Sequence, residues 1–149
     1  MAKVFEDVFM EIQADMVSLG LDYVESQAEK VFIYVSYEES ALTFNVFYLI
    51  KGKIVTISKV NEVLGNKKNF NKKEVFSILN AGIKELDRII SACKEYDRPI
   101  PTEMRLTYDV KANSLKSDYQ YEPVYSNTDD KHSSDIFMEW IDAERNKNK

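Results

Sequence analysis

The stretch from residue 30 to residue 57, KVFIYVSYEESALTFNVFYLIKGKIVTI, carries three runs of β-branched and aromatic residues separated by short polar interruptions. Such runs favour β-strands, so we predict strands over residues 30–37 and 41–50. Lys51 and Gly52 then predict a tight reversal into a third strand, because glycine readily adopts the positive φ that a two-residue hairpin needs. Three strands joined by short turns predict an antiparallel meander.

A helix is predicted before this meander. From Phe5 to Leu19 apolar residues recur at three- and four-residue spacing, which lines one face of a helix and leaves the acids beside or opposite it. Gly20 either ends this helix or lies within a weaker continuation through Tyr23 and Val24, since an interior glycine costs only about 1 kcal/mol.

The longest helix is predicted after a polar loop. Residues 61–73 are rich in Asn and Lys, which is typical of a solvated loop. Asn71 and Glu74 have the spacing of a capping box, and an apolar helical face then extends to Cys93. The prolines that follow prevent the helix from continuing, because proline lacks the amide donor.

A hairpin and a last helix complete the chain. Residues 104–108 and 115–121 alternate apolar and polar side chains around a bend at residues 111–114, which predicts two strands with one core face and one solvated face. Ser133 or Ser134 can cap the final helix. Its predicted inner side carries Ile136, Phe137, Trp140 and Ile141.

The order of elements is therefore α-β-β-β-α-β-β-α, which predicts an α+β fold. Its natural architecture is a single antiparallel sheet of about five strands with helices packed mainly on one face. Because 149 residues is close to the commonest domain size, we expect residues 1–149 to form one domain.

The sequence also bears on the compartment. The chain lacks the unbroken apolar core of a signal peptide, and its longest apolar run is too short to cross a bilayer. We therefore expect a cytoplasmic protein with no membrane partner. The single cysteine, Cys93, falls on the apolar face of the longest helix, where a buried thiol is the simplest interpretation.

Residues suited to catalysis are sparse. The four glycines lie far apart, which argues against a phosphate-binding loop, and His132 is the only histidine. Asp118 with Glu122, or Asp129 with Asp130, could serve as an acid–base pair or hold a hard cation. Favourable charges at a helix start and solvent-exposed strand positions explain these acids better. We expect no enzyme activity, no cofactor and no resident metal.

Nucleic-acid binding is the next function to weigh. Seven lysines and a single acid lie between residues 51 and 73, which is a basic segment of the kind that contacts phosphates. Few aromatic residues accompany these lysines, and the whole chain carries a net charge of −5. A solvated loop is therefore the preferred interpretation, and no nucleic-acid partner is expected.

Charge is unevenly distributed along the chain. Residues 1–40 hold nine acids and two bases, residues 41–117 fourteen bases and eight acids, and residues 118–144 eight acids and one base. The last block also holds several tyrosines and the tryptophan, a composition suited to docking on a basic protein unless these rings belong to the core. The candidate contact residues are Asp118, Tyr119, Tyr121, Glu122, Tyr125, Asp129 and Asp130, with Glu38 and Glu39 as a second surface.

Three stretches carry a resemblance to a known family. They are RPIPTEMRLTYDVKANSLKSDYQY at residues 98–121, SDIFMEWIDAERNK at residues 134–147 and FEDVFMEIQADMVSL at residues 5–19. Together they resemble the YezG-like immunity proteins of Gram-positive bacteria. The resemblance implies a small cytoplasmic antitoxin that binds and neutralises a secreted polymorphic toxin, often a nuclease.

This implied function agrees with the acidic C-terminal block, because a nuclease domain tends to be basic. The family has no catalytic residues to carry over. The lysine-rich residues 51–73 and a shorter C-terminal part depart from longer members, so the binding surface and the class of toxin stay open. The competing hypothesis is a small ligand-binding or enzymatic domain that uses a cleft between sheet and helices.

Overall fold

The structure, a computed structural model, describes residues 4–64, 72–126 and 131–147. The strands are β1 (Lys30–Glu38), β2 (Ala41–Ile50), β3 (Lys53–Thr56), β4 (Glu103–Asp109) and β5 (Ser114–Gln120). The helices are α1 (Phe5–Tyr23), the single turn α2 (Asn61–Leu64), α3 (Lys72–Glu95) and α4 (Ser133–Lys147), with a 3-10 turn at Ile57–Lys59. The predicted α+β class and the order of elements are confirmed.

The five strands form one antiparallel sheet in the order β3-β2-β1-β4-β5. Strand β1 lies at its centre, so Ile33 is opposite Val46 on one side and Leu106 on the other. The β1–β2 turn contains Glu39 and Ser40 at φ 50° and 66°. Positive φ at both central residues matches the right-handed twist of the strands that the turn joins.

Helices α1 and α3 pack on one face of the sheet and bury the larger core. Helix α1 continues past Gly20 to Tyr23, which resolves the alternative that the sequence left open. At Gly20 the helix backbone approaches the sheet closely, because an added Cβ would lie 3.1 Å from both Val31 and Val46. The Gly20 carbonyl there accepts a hydrogen bond of 2.7 Å from the hydroxyl of Tyr48.

Helix α4 packs on the opposite face, so the helices lie mainly, as predicted, but not entirely on one face. It covers a second buried cluster, in which the Trp140 ring stands edge-on to Phe32 and Phe47 at centroid distances of 5.7 and 5.0 Å. The physical reason lies in β1, where every residue from 31 to 35 is apolar and buried. A strand that is apolar on both sides needs a cover on each face.

Cys93 is buried, as predicted, and the second hairpin strand ends at Gln120, one residue earlier than expected. Asn71 of the predicted capping box and most of the predicted lysine-rich loop lie outside the described residues. Within the described part of the chain, no helix is both long enough and apolar enough to span a bilayer.

Candidate functional site

Helix α4 covers only part of its face of the sheet. Its packing residues lie on β1, β2 and β3, and its border with β4 is marked by the Arg105 guanidinium, which lies 5.4 Å from the centroid of the Trp140 ring. Beyond this border the side chains of β4 and β5 are polar and half or fully exposed. We call this surface the open face; it consists of Arg105, Thr107, Asp109, Lys116, Asp118 and Gln120.

A buried carboxylate ties the segment after β5 to the end of β1. Glu38 is only 4% exposed. The backbone N–H of Val124 donates to both carboxylate oxygens at 3.1 Å, and Ser126 donates to Oε1 through its N–H at 3.1 Å and its hydroxyl at 2.6 Å. Glu38 was predicted from the sequence as a contact residue, but its carboxylate is buried and bound to the protein's own chain, so it is not part of an exposed surface.

The C-terminal acidic block and the β1–β2 turn, which the sequence predicted as two separate contact surfaces, meet at the same end of the sheet. The Tyr37 N–H donates to the Thr102 carbonyl at 2.9 Å, and the Thr102 hydroxyl donates to the Glu122 carbonyl at 2.7 Å. Glu122 therefore lies at the same end of the sheet as the turn that carries Glu39. Both carboxylates are exposed. We call Glu39 and Glu122 the acidic end; Asp118, also exposed, belongs to the open face.

Tyr119 belongs to the other face of the sheet. Its ring packs against Phe9 of α1 at a centroid distance of 5.4 Å, and its hydroxyl accepts a hydrogen bond of 3.0 Å from Nε2 of the fully buried Gln13. The hydroxyl of Ser117 donates to Oε1 of Gln13 at 2.7 Å. Tyr119 thus attaches β5 to α1, and of the two roles that the sequence left open this is the core role.

Each of the other aromatic candidates is also either part of a core cluster or exposed to solvent. Tyr125 is half-buried against the second cluster, and its hydroxyl accepts from Ser36 at 3.3 Å, while Trp140 is part of that cluster. Tyr121 is 49% exposed. Partial burial, followed by the neighbouring Tyr119, raises the pKa of Tyr121. Tyr121 is therefore the aromatic candidate that presents a large surface to solvent.

The remaining acids of the C-terminal block either lie outside the described residues or include side chains with partners in the protein itself. Asp129 and Asp130 lie outside the described residues. On α4, Glu139 pairs with Lys131 at 3.0 Å, and the Asp135 carboxylate accepts the N–H of His132 at 2.9 Å at the start of the helix. The acids of α4 therefore contribute less free negative charge than their number suggests.

A second buried acid, Glu103, was not identified from the sequence. It is 4% exposed and accepts a hydrogen bond of 2.9 Å from the Tyr34 hydroxyl and one of 3.0 Å from Nε of Arg105. Burial, followed by the charge of Glu103, raises the pKa of Tyr34 well above its ordinary value. Because Arg105 also lies over the Trp140 ring, this chain of contacts fixes the border between α4 and the open face. The sequence offered one signal for this buried acid: Arg105 follows Glu103 by two residues, so strand alternation places the base on the same face as the acid.

The structure also contains the kind of cleft that the competing hypothesis requires. It measures about 280 Å³ and lies between α1 and the β4–β5 hairpin. Its lining residues are Ala14, Val17, Ser18, Leu21, Tyr108, Asn113 and Leu115. Among the described residues there is no group of three or more His, Cys, Asp or Glu side chains able to hold a metal ion. Burial raises the pKa of the Cys93 thiol, which lowers its reactivity at neutral pH.

Comparison with known proteins adds no assignment: no family model matches the chain, and the search of curated proteins finds none that matches it. The resemblance to YezG-like immunity proteins stays a hypothesis.

Proposed function

We propose that this protein is an antitoxin that neutralises a basic toxin domain, most simply a nuclease, by binding it through the acidic end. The observation that carries the proposal is the buried Glu38 carboxylate, which holds residues 124–126 against β1. It brings Glu39 and Glu122, which are far apart in the sequence, to one end of the sheet. This arrangement supports the function implied by the resemblance to YezG-like proteins, which act in the cytoplasm of the producing cell.

The carboxylates of the acidic end are held in place before a partner binds. Exposed carboxylates on a fixed support attract a basic partner during diffusional encounter, and they lose little conformational entropy when the complex forms. Tyr121, exposed beside Glu122, adds a rigid aromatic contact of the kind enriched in interfaces. The toxin's cleft would then be blocked by the bound antitoxin, or the toxin would be held in an inactive form.

The test measures association kinetics between the purified protein and the toxin domain encoded by the neighbouring gene. The double variant Glu39→Lys/Glu122→Lys is expected to slow association on the order of tenfold or more at low ionic strength, with the difference shrinking as salt is added. The matched control is Asp87→Lys/Glu95→Lys on α3, which changes the net charge equally at exposed positions elsewhere. Equal slowing by both variants, or no binding by the native protein, would refute the proposal.

A second candidate function is binding of a small apolar molecule in the cleft between α1 and the hairpin. The cleft is near the lower size limit of ligand pockets, and its apolar lining is interrupted by polar groups of Ser18, Tyr108 and Asn113. A thermal-shift screen with nucleotides, divalent cations and small apolar compounds separates the two functions. The antitoxin proposal expects no response, whereas stabilisation that Ala14→Trp abolishes would favour ligand binding.

A further inference from the structure

Strand β5 forms one edge of the sheet. Among the described residues it pairs with β4 alone, over all seven of its positions from Ser114 to Gln120. An edge strand presents backbone donors and acceptors that can pair with another chain, and many proteins protect such an edge with proline, a bulge, a very short strand or charged side chains. The sequence of β5, SLKSDYQ, contains no proline and no glycine.

The charges on β5 are arranged symmetrically about its centre. Lys116 and Asp118 flank Ser117, lie on the same face of the strand and are both exposed. In an antiparallel pair of identical strands with Ser117 opposite Ser117, each Lys116 faces Asp118 of the second copy. A shift of two residues in either direction brings Lys116 opposite Lys116 or Asp118 opposite Asp118. One register alone is therefore electrostatically complementary, and opposite charges across a strand pair stabilise it.

The apolar side of β5 supports the same register. Leu115 and Tyr119 are half-buried on the face that contacts α1, and in this register each lies opposite the other residue of the second copy. Met10 of α1 is 43% exposed and lies three residues before Gln13, which contacts β5. A second copy would therefore cover apolar surface of α1 as well as extend the sheet.

We propose that two copies of this chain pair through β5 about a two-fold axis at Ser117, which joins the two sheets into one. The contact is isologous, since the same surface is used by both copies. The partner strand is β5 of a second copy, because opposite charges face each other when this strand pairs with itself about Ser117. The proposal does not depend on the antitoxin function, which involves Glu39 and Glu122.

The test is the mass of the full chain measured by sedimentation velocity from micromolar to high micromolar concentration. The native protein is expected to dimerise. Lys116→Glu and Asp118→Lys each replace two attractive contacts by two repulsive ones, so each is expected to weaken dimerisation about tenfold or more. Lys84→Glu, at an exposed position of α3, is the matched control and should dimerise like the native protein.

Mixing the two variants gives the decisive measurement. A Lys116→Glu copy carries acids at both positions and an Asp118→Lys copy carries lysines at both, so all contacts between them are attractive in the proposed register. A mixture is therefore expected to form a heterodimer, although each variant alone dissociates. Circular dichroism confirms that the variants are folded. Three results would overturn the proposal: a monomeric native protein, dimerisation that Lys116→Glu does not change, or variants that fail to associate on mixing. A monomeric native protein would also be the result if the β5 edge binds a different protein.

Discussion

The two faces of the sheet are covered very differently. On the first face α1 and α3 lie over a continuous apolar core to which β1, β2, β4 and β5 all contribute. On the second face α4 covers an aromatic cluster over β1, β2 and β3 and leaves the open face of β4 and β5 to solvent. The first face therefore accounts for most of the buried apolar surface and hence for most of the stability.

The second face shows how polar groups define the limit of a core. At the limit of the surface that α4 covers, Arg105 donates a hydrogen bond to Glu103, and Glu38 is bound to residues 124–126. Buried carboxylates satisfied in this way fix the position of the chain around them, because breaking the contacts would leave a buried charge without partners.

The largest expected effect tests whether the layer formed by α4 is an integral part of the fold. Trp140→Ala removes the ring that contacts both Phe32 and Phe47, and it is expected to lower the free energy of unfolding by about 3–5 kcal/mol. Chemical denaturation monitored by circular dichroism measures the loss. Met138→Ala, at an exposed position of the same helix, is the control and should change the free energy by less than about 0.5 kcal/mol. A cost below about 1 kcal/mol for Trp140→Ala would mean that α4 adds little to stability.

The next effect tests the border of that layer. Glu38→Gln keeps the shape of the side chain but weakens its hydrogen bonds to Val124 and Ser126, so we expect a loss of about 2 kcal/mol in the free energy of unfolding. Amide hydrogen exchange at residues 124 and 126 should accelerate, since these N–H groups lose a charged acceptor. Glu39→Gln, one residue away and exposed, is the control and should leave stability and exchange unchanged. Unaltered exchange in Glu38→Gln would show that the segment is held by other contacts.

The smallest effect tests the close packing of the first face. A Cβ at Gly82 would lie 2.1 Å from the Phe44 ring, so Gly82→Ala forces that ring to move. Overpacking costs about 1–3 kcal/mol, and the better helix propensity of alanine returns about 1 kcal/mol. We therefore expect a net destabilisation of up to about 2 kcal/mol in thermal or chemical unfolding.

A double-mutant cycle checks the mechanism of this last effect. In a Phe44→Leu background the ring is absent, so Gly82→Ala should cost less than in the native protein or become stabilising. An equal cost in both backgrounds would place the strain elsewhere.

The helices and strands could largely be predicted from the sequence, because their signals are local. The three- and four-residue spacing of apolar residues in α1 and the alternation along β4 depend only on the geometry of each element. The side of the sheet on which α4 lies depends on β1, whose residues 32 and 34 are apolar as well as residues 31, 33 and 35. That signal was present in the sequence, and it predicts a strand covered on both faces.

The candidate site was less predictable, since its residues are assembled by contacts between distant parts of the chain. The sequence identified Asp118, Glu122 and Glu39 as acids in polar surroundings, and the structure describes all three as exposed. It could not distinguish Glu38 from Glu39, because adjacent acids in a turn have the same composition and the same local pattern. The same limit applies to Tyr119 and Tyr121, one bound to Gln13 and the other half-exposed.

By itself the sequence determined the class of fold, the order of its elements and the uneven distribution of charge, because periodicity and composition are properties of neighbouring residues. Tertiary structure alone decided which carboxylates are buried, how much of its face α4 leaves open and where the charges of β5 stand relative to the sheet edge. The reason is that burial and hydrogen bonding depend on partners distant in the chain, such as Val124 for Glu38, and these are brought together only when the whole sheet forms.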